Sequence, residues 1–409
     1  MKKKIKNKNN TMKIDIKDIS STKKKIQIEI NAEDFNMFFD KAFKSLSKEL
    51  EIPGFRKGMV SEAIAKEKIS ENSVLGYAAE LIINEKWNEY LKQTDLEIVS
   101  QPVIEVIKIA KSNPFIFSAE VEVLKDIDLP DYKAISKTIK KEEAIINEKD
   151  INDAFLWLQQ SRAMLKDKQG AVELNDFVEI TINNNGKEQK DAFVIGKGHE
   201  VKDLENSLIG MNIGETKDID PGFNITLDMV KKLELPEIND DLAKNLGINS
   251  LEELKNNIEQ GLKQEKELVL KQKQRAETLE KIASKAKIDI PQSLIEREKQ
   301  GLISNLQNRI KNELNISFEE YLSQTRKTMD QIEKEFEKIG QDRVRNFLII
   351  RQITKKEGII AKPEEIEARA QEILNTYPEE KKKEIDLNTI KLYIEDEIKN
   401  EKVFELLGF

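Results

Sequence analysis

Turn-forming residues are scarce in this chain: 16 glycines and 9 prolines stand among 409 residues, about half of average usage. A chain with so few places to reverse must run in long segments, and long uninterrupted segments are helices. From residue 236 to the C terminus, apolar residues recur at helical spacing almost without a break. Helices are expected at 250–284, 291–314, 318–337, 341–356, 363–376 and 387–407. Ser317 and Glu320 stand at capping-box spacing, and Gly358 and Pro363 bracket a helix–helix turn. The apolar stripes are narrow and interrupted by Lys and Glu, a pattern that suits antiparallel arms better than one thick globule.

The chemistry open to the chain is restricted. It has no Cys, which excludes disulfides, thiolate catalysis and Cys-ligated zinc or iron–sulfur centres. Its one His, His199, rules out a zinc site built on two histidines. His199 follows Gly196-Lys197-Gly198, which is not a complete dinucleotide-binding fingerprint, and it reads as a surface loop residue. No phosphate-binding loop is present. Asp150 with Asp153, and Asp240 with Asp241, sit near expected helix starts, where the helix dipole already favours acids. No metal and no cofactor are therefore expected. No run approaches 18 apolar residues, so no membrane span is expected. The N terminus has charge without a following apolar region, so it is not read as a secretory signal. A cytoplasmic protein is expected.

Net charge is −8 but unevenly spread. Residues 1–25 carry ten Lys against Asp15 and Asp18. Residues 1–11 read as a disordered basic leader, and Met12 is a second potential start. A basic arm could equally approach nucleic acid or a ribosome surface. Residues 12–125 read as an α+β unit. Ile26, Ile28 and Ile30 alternate with Lys25, Gln27 and Glu29, the mark of a half-buried strand. Asn31 stands as an N-cap before a helix carrying Phe35, Phe38, Phe39, Ala42, Phe43, Leu46 and Leu50 on one stripe. A second helix over 73–93 turns Val74, Tyr77, Ala78, Leu81, Ile82, Trp87 and Leu91 inward. Strands follow near 102–109 and 115–124, the latter with Phe115, Phe117, Ala119, Val121 and Val123 on one face.

Residues 126–172 read as a connector packing with the C-terminal helical region. Its helix near 148–166 carries Trp157 as a packing anchor. Residues 173–235 form a small β-rich unit, with Phe177, Ile180 and Ile182 in its first strand and Asn183-Asn184-Asn185-Gly186 as a hairpin turn. Residues 236–409 form the helical domain. The fold class is multidomain α+β.

The most informative short segment is Gly54-Phe55-Arg56-Lys57-Gly58, after Ile52-Pro53. Two glycines flank an aromatic and two cations between two amphipathic helices. One reading is an exposed adhesive tip that combines apolar area with charge steering toward an acidic partner. The other is an ordinary interhelical loop with its Phe folded back. The segment resembles the ribosome-binding signature of the trigger factor family, G-F-R-x-G-x-x-P, with Ser61 in place of the final Pro. Ile288-Asp289-Ile290-Pro291 followed by Leu294-Ile295 is similar to the family's helix-opening segment. The Asp-Leu-Pro at 128–130 and Leu-Pro-Glu at 235–237 sit at its domain joints. The resemblance covers nearly the whole chain.

That resemblance implies an N-terminal ribosome-binding domain, a small FKBP-like domain and an all-α C-terminal chaperone domain with long helical arms. It implies an ATP-independent chaperone that docks by Gly54, Phe55, Arg56, Lys57 and Gly58 at the large ribosomal subunit, near the exit tunnel. It further implies that the chain shields unfolded nascent polypeptides, aids protein export, has links to cell division and homodimerises off the ribosome. The FKBP-type prolyl isomerase pocket departs from the family's pattern. Ile182 stands where the family has an aromatic, Phe193 is retained, and Val201-Lys202-Asp203-Leu204 replaces the aromatic floor. The flap is compressed to Asp220-Pro221-Gly222-Phe223. Prolyl isomerisation needs a dry hole that favours the twisted amide, so loss of these walls predicts a degenerate domain with weak or no activity. The alternative is an active isomerase in which Phe223 refills the pocket. A purely structural helical scaffold is the third reading, disfavoured by the Gly54–Gly58 tip.

Overall fold

The computed structural model describes residues 5–6, 12–53, 55, 60–184, 186–198, 204–220, 223–382 and 385–409. The chain forms two compact units, one of Met1–Lys140 with Gln274–Phe409 and one of Lys141–Lys273.

The first unit opens with β1 (Ile5–Lys6), β2 (Met12–Asp18), β3 (Lys23–Ile30), α1 (Ala32–Glu49), α2 (Glu62–Lys68), α3 (Glu71–Gln93), β4 (Glu97–Ile98), β5 (Val103–Lys108) and β6 (Phe115–Leu124). The strands make one antiparallel sheet in the order β1-β2-β3-β6-β4, with β5 also on β6. The alternation along β3 and β6 sets the register: Ile26 lies opposite Ala119, Ile28 opposite Phe117 and Ile30 opposite Phe115. All six are fully buried. Each large side chain so buried contributes about 1.5–3 kcal/mol over exposure. Asn31 caps α1 by accepting from the Asp34 N–H at 2.8 Å, and this entry lays Phe35 flat on Phe115 with ring centroids 5.0 Å apart. Within α3, Tyr90 is buried beside Trp87, whereas Leu91, expected inward, is exposed. Two features were not anticipated. Met12–Asp18 is a full strand paired along β3, and Ile5 and Lys6, in the stretch read as a disordered leader, pair with Ile14 and Lys13.

The chain continues through α4 (Tyr132–Lys137), α5 (Glu148–Ser161), β7 (Met164–Asp167), β8 (Asp176–Asn184), β9 (Lys187–Val194), α6 (Leu204–Leu208), β10 (Thr216–Asp220), β11 (Phe223–Glu234) and α7 (Asp240–Asn245). In the second unit β10, β11, β8 and β9 lie side by side, and β7 joins the same edge of β11 as β10. The sheet therefore takes a strand from residues 164–167, ahead of the stretch read as β-rich. Val178, Ile180, Ile182, Leu204, Leu208, Ile225 and Leu227 form its core. Phe177 alternates out of that set. On α5, Ile151 and Phe155 pack against Ala243 and Leu254, but Trp157 points away and is 69% exposed. It is not a packing anchor, because the helix spends its inward stripe on Ile151, Phe155 and Leu158.

The remaining helices are α8 (Leu251–Lys285), α9 (Gln292–Arg309, continued by a π-helical turn Ile310–Leu314), α10 (Phe318–Thr325), α11 (Met329–Glu357), α12 (Pro363–Asn375), α13 (Glu379–Lys382) and α14 (Leu387–Leu407). The break expected near residue 338 is absent. α11 runs straight through Gly340, and the stop falls earlier, at Arg326, which takes a left-handed φ of 54° before Thr328 caps α11. Gly340 is a contact residue: a Cβ there would lie 3.4 Å from the Ile295 carbonyl and 3.5 Å from the Lys299 nitrogen. A side chain longer than a methyl group would strike the α9 backbone.

Within the first unit, α4 and its flank are packed into the helices. Leu129, Tyr132 and Ile135 share a core with Ile282, Ile349, Ile353, Val403 and Phe404. The Tyr132 hydroxyl donates to Glu357 at 2.5 Å; burial and then that carboxylate push the phenol up to about 12. The β-sheet meets the helices through Val99, Leu124, Leu294, Val344 and Leu348 and through Glu122. Glu122 is buried, and its carboxylate accepts from the Ser293 N–H at 2.7 Å. Pro291, the N-cap of α9, offers no side-chain cap bond, so Glu122 supplies the acceptor from another part of the chain. Burial works against its ionisation, but the Ser293 hydrogen bonds and Lys23 at 3.4 Å outweigh it and hold its pKa below the ordinary 4.5.

Gly340→Leu should therefore destabilise the first unit by about 1–3 kcal/mol through overpacking. Gly340→Ala should instead be neutral to stabilising by up to about 1 kcal/mol from helix propensity, since a methyl group meets only ordinary van der Waals contact there; thermal melts followed by circular dichroism would separate them. Glu122→Ala should cost about 1.5–3 kcal/mol at neutral pH, the range for hydrogen bonds to charged groups. A carboxyl with a depressed folded-state pKa stabilises above its unfolded value and loses that contribution as pH falls through the folded value. The gap between wild type and Glu122→Ala should thus narrow on acidification below 4.5, read by denaturant melts at a series of pH values.

Candidate functional site

The exposed loop of the first unit joins α1 to α2. Leu50 ends α1 in an extended conformation, and Ser61 begins α2 without a side-chain cap bond. Of the five residues singled out here, Phe55 is described; Gly54, Arg56, Lys57 and Gly58 lie outside the described residues. The Phe55 N–H donates to the Ile52 carbonyl at 3.0 Å, closing a tight turn after Pro53. That turn carries the ring outward, and Phe55 is 47% exposed. The folded-back alternative does not hold for this side chain.

A cavity of about 650 Å³ lies between α1, α2 and α3. Phe39, Phe43, Val60, Ile69 and Val74 make its apolar wall, and Lys44, Lys48, Lys66 and Lys111 stand around it with Asp40, Glu62 and Glu71. The hydrogen bond from Lys66 at 2.6 Å holds the Glu62 carboxyl below its usual range. Lys111 sits over the Phe39 ring at 4.8 Å. Met37, Lys41, Lys44 and Lys48 share a further shallow depression along α1. A basic, partly apolar helix face can grip an apolar side chain while its charges steer a negatively charged partner. The sequence singled out this segment but left the ring's exposure open. It did not signal the cavity, whose walls come from three helices.

The second candidate site is the isomerase pocket. Ile182 and Leu204 are buried in the core of the second unit, and Phe193 and Phe223 pack partly buried against the same core. Val201, like His199, lies outside the described residues. Gly196 and Gly198 are held by Glu205, whose carboxylate accepts from their N–H groups at 3.2 Å and 3.0 Å. The acids flagged near helix starts have structural work: Asp150 completes the capping box of α5, and Asp240 accepts from the Leu251 N–H at 2.8 Å.

Apolar side chains are also left in solvent on the helices. On α8 these are Leu268 and Val269, on α11 Phe347, and on α14 Leu387, Leu392 and Tyr393. Leu392 borders a hollow of about 450 Å³ shared with Pro363 and Ile366 of α12. Sequence reasoning could not single these residues out, because core and solvent stripes look alike in a narrow amphipathic pattern.

Two family models match the chain. One, described as bacterial trigger factor protein (TF), matches residues 12–156, and the other, its C-terminus, matches residues 250–408; together they cover about three quarters of the chain. The trigger factor of Bacillus cytotoxicus is 28% identical over 379 residues, covering 86% of this chain and 88% of that protein. That of Clostridium kluyveri is 28% identical over 426 aligned positions, covering 97% of this chain and 98% of its own. A solved structure described as showing promiscuous substrate recognition in folding and assembly activities of the trigger factor chaperone superposes with a TM-score of 0.47 at 22% identity. It covers 96% of this chain and 98% of that one.

Because Phe55 is half exposed, Phe55→Ala should shift stability by no more than about 0.5 kcal/mol. Matching melting curves for the two proteins would show that any loss of binding in the variant arises at the loop itself.

Proposed function

The chain belongs to the bacterial trigger factor family, and from that membership we propose that it is a molecular chaperone of newly made polypeptides. It docks by the Gly54–Gly58 loop beside the exit of the large ribosomal subunit and holds emerging chains on its apolar surfaces without a nucleotide. The observation that carries the docking part is Phe55, an aromatic ring held out in solvent by the turn after Pro53. Support for holding comes from Phe347, Leu392 and Tyr393, apolar groups left exposed on helices. Each such contact is worth about 1–2 kcal/mol, so several together hold a client while each releases easily. As a client buries its own apolar surface, its hold on the chaperone weakens. The work is cytoplasmic, assists export, and alternates with a homodimer that covers the same surfaces off the ribosome.

For the middle domain, weak or absent prolyl isomerase activity is the reading we favour. Ile182 and Leu204 contribute to a packed core, which suits a spacer or binding surface better than a hole for a proline ring. Phe193 and Phe223 are the aromatics that an active alternative would use.

Cosedimentation with ribosomes should separate the intact protein, found in the pellet, from a Phe55→Ala/Arg56→Ala/Lys57→Ala variant, left in the supernatant. Failure of both to pellet would overturn ribosome docking. A prolyl-peptide isomerisation assay on the intact protein should run near the uncatalysed rate, and a clear rate that falls in Phe223→Ala would instead establish a rebuilt pocket.

A further inference from the structure

We infer that the open edge of β5 is a strand-addition site for a short, extended, uncharged apolar segment of a non-native polypeptide, flanked by an acidic residue. The inference rests on the chaperone reading above and gives it a binding site apart from the helices.

β5 pairs with β6 on one side, and its other edge meets no strand among the described residues. A strand edge of this kind presents a row of unpaired N–H and C=O groups, a template for another extended chain. Folded proteins usually protect such edges with charge. The outer edge strand of the second unit does so: β9 exposes Lys187, Glu188, Gln189 and Lys190. β5 reads Val-Ile-Glu-Val-Ile-Lys, with Val103 69% exposed and Val106 and Ile107 also in solvent.

The length and charge of this edge define what fits it. The register shifts between Val106 and Lys108, so the regular ladder is confined to Val103–Val106. Four residues of strand span about 13 Å, which limits the guest to a short segment. The one acid of the strand, Glu105, is occupied: its carboxylate takes Lys25 Nζ at 2.8 Å and the Ser118 hydroxyl at 3.4 Å. The Lys108 side chain, at the end of the strand, forms no hydrogen bond or ion pair among the described residues. An edge of exposed Val103 and Val106, with its one carboxylate already paired to Lys25 and Lys108 at its end, complements an apolar strand with an acid beside it. Strand addition takes its affinity mainly from backbone hydrogen bonds, which every sequence possesses, and so it suits a binder of many clients.

The probe is a synthetic peptide of alternating valine and threonine ending in two aspartates, in three forms. One is unmodified, one is N-methylated at alternate amides, and one carries lysines in place of the aspartates. Amide exchange at residues 103–106 should slow on adding the unmodified peptide. N-methylation keeps the side chains but removes backbone donors, and should weaken binding at least about tenfold, equivalent to 1.4 kcal/mol; the lysine form should bind several-fold more weakly. Equal binding of the N-methylated peptide would overturn the inference. So would protection confined to the helices, or protection of 103–106 that grows with protein concentration alone, which would mark the edge as a contact between copies. A separate assay follows aggregation of a chemically denatured enzyme with the intact protein and a Val103→Lys/Val106→Lys variant. No suppression by the intact protein would bring down the chaperone reading. Equal suppression by both, with no peptide binding at the edge, would overturn the strand-addition site alone.

Discussion

β6 is the strand on which the first unit depends. Its ten residues pair with β3 on one side and with β4 and β5 on the other. One of its faces carries Phe115, Phe117, Ala119, Val121 and Val123, all buried under α1 and α3. The opposite face brings Glu122 to the N terminus of α9. A single strand thus anchors the sheet core by apolar burial and ties the sheet to the helices by a buried charge. The two roles are compatible because side chains alternate across a strand. A one-residue slip would exchange them, putting the carboxylate into the apolar core.

The helical part is built on a different economy. Its helices have narrow apolar stripes, so they bury one side and leave much of the rest in water. Close approach at Gly340 and the shared core around Ile282, Ile349 and Phe404 supply the rigidity. Long charged side chains cover the rest; Arg275, for example, pairs with Glu401 and lies over the Phe404 ring at 4.5 Å. Apolar groups such as Leu392 and Tyr393 stay available between those charges. Binding surfaces can be left open in this arrangement because stability is drawn from the buried side of each helix.

Some of this was legible in the residues themselves. The strand at Lys23–Ile30, the cap at Asn31 and the inward face of Phe115–Leu124 follow from alternation and local hydrogen bonding. At Phe55 the residues left an exposed ring and a folded-back one both open, and the structure leaves the ring 47% exposed. The strand at Met12–Asp18 also alternates apolar and charged residues, but it sits in a Lys-rich stretch whose charge masks the alternation. The α10–α11 boundary was misplaced for a physical reason. Helices expected at 318–337 and 341–356 leave a break near 338–340, whereas the chain turns at Arg326, a residue with no intrinsic preference for a left-handed φ.

Local periodicity and capping chemistry determined which stretches became helices and strands and which side of each faced inward, because those preferences act over a few residues. Family membership was likewise carried by short linear motifs. Tertiary structure alone decided where solvent remained. It left Trp157 exposed because Ile151, Phe155 and Leu158 filled the inner stripe of its helix. It made Gly340 a contact, turned Glu122 into a cap for a helix 171 residues away in sequence, and left the outer edge of β5 without a partner strand among the described residues. Each of these depends on which surfaces meet across long stretches of chain, and a property of pairs of distant surfaces is not encoded in either surface read alone.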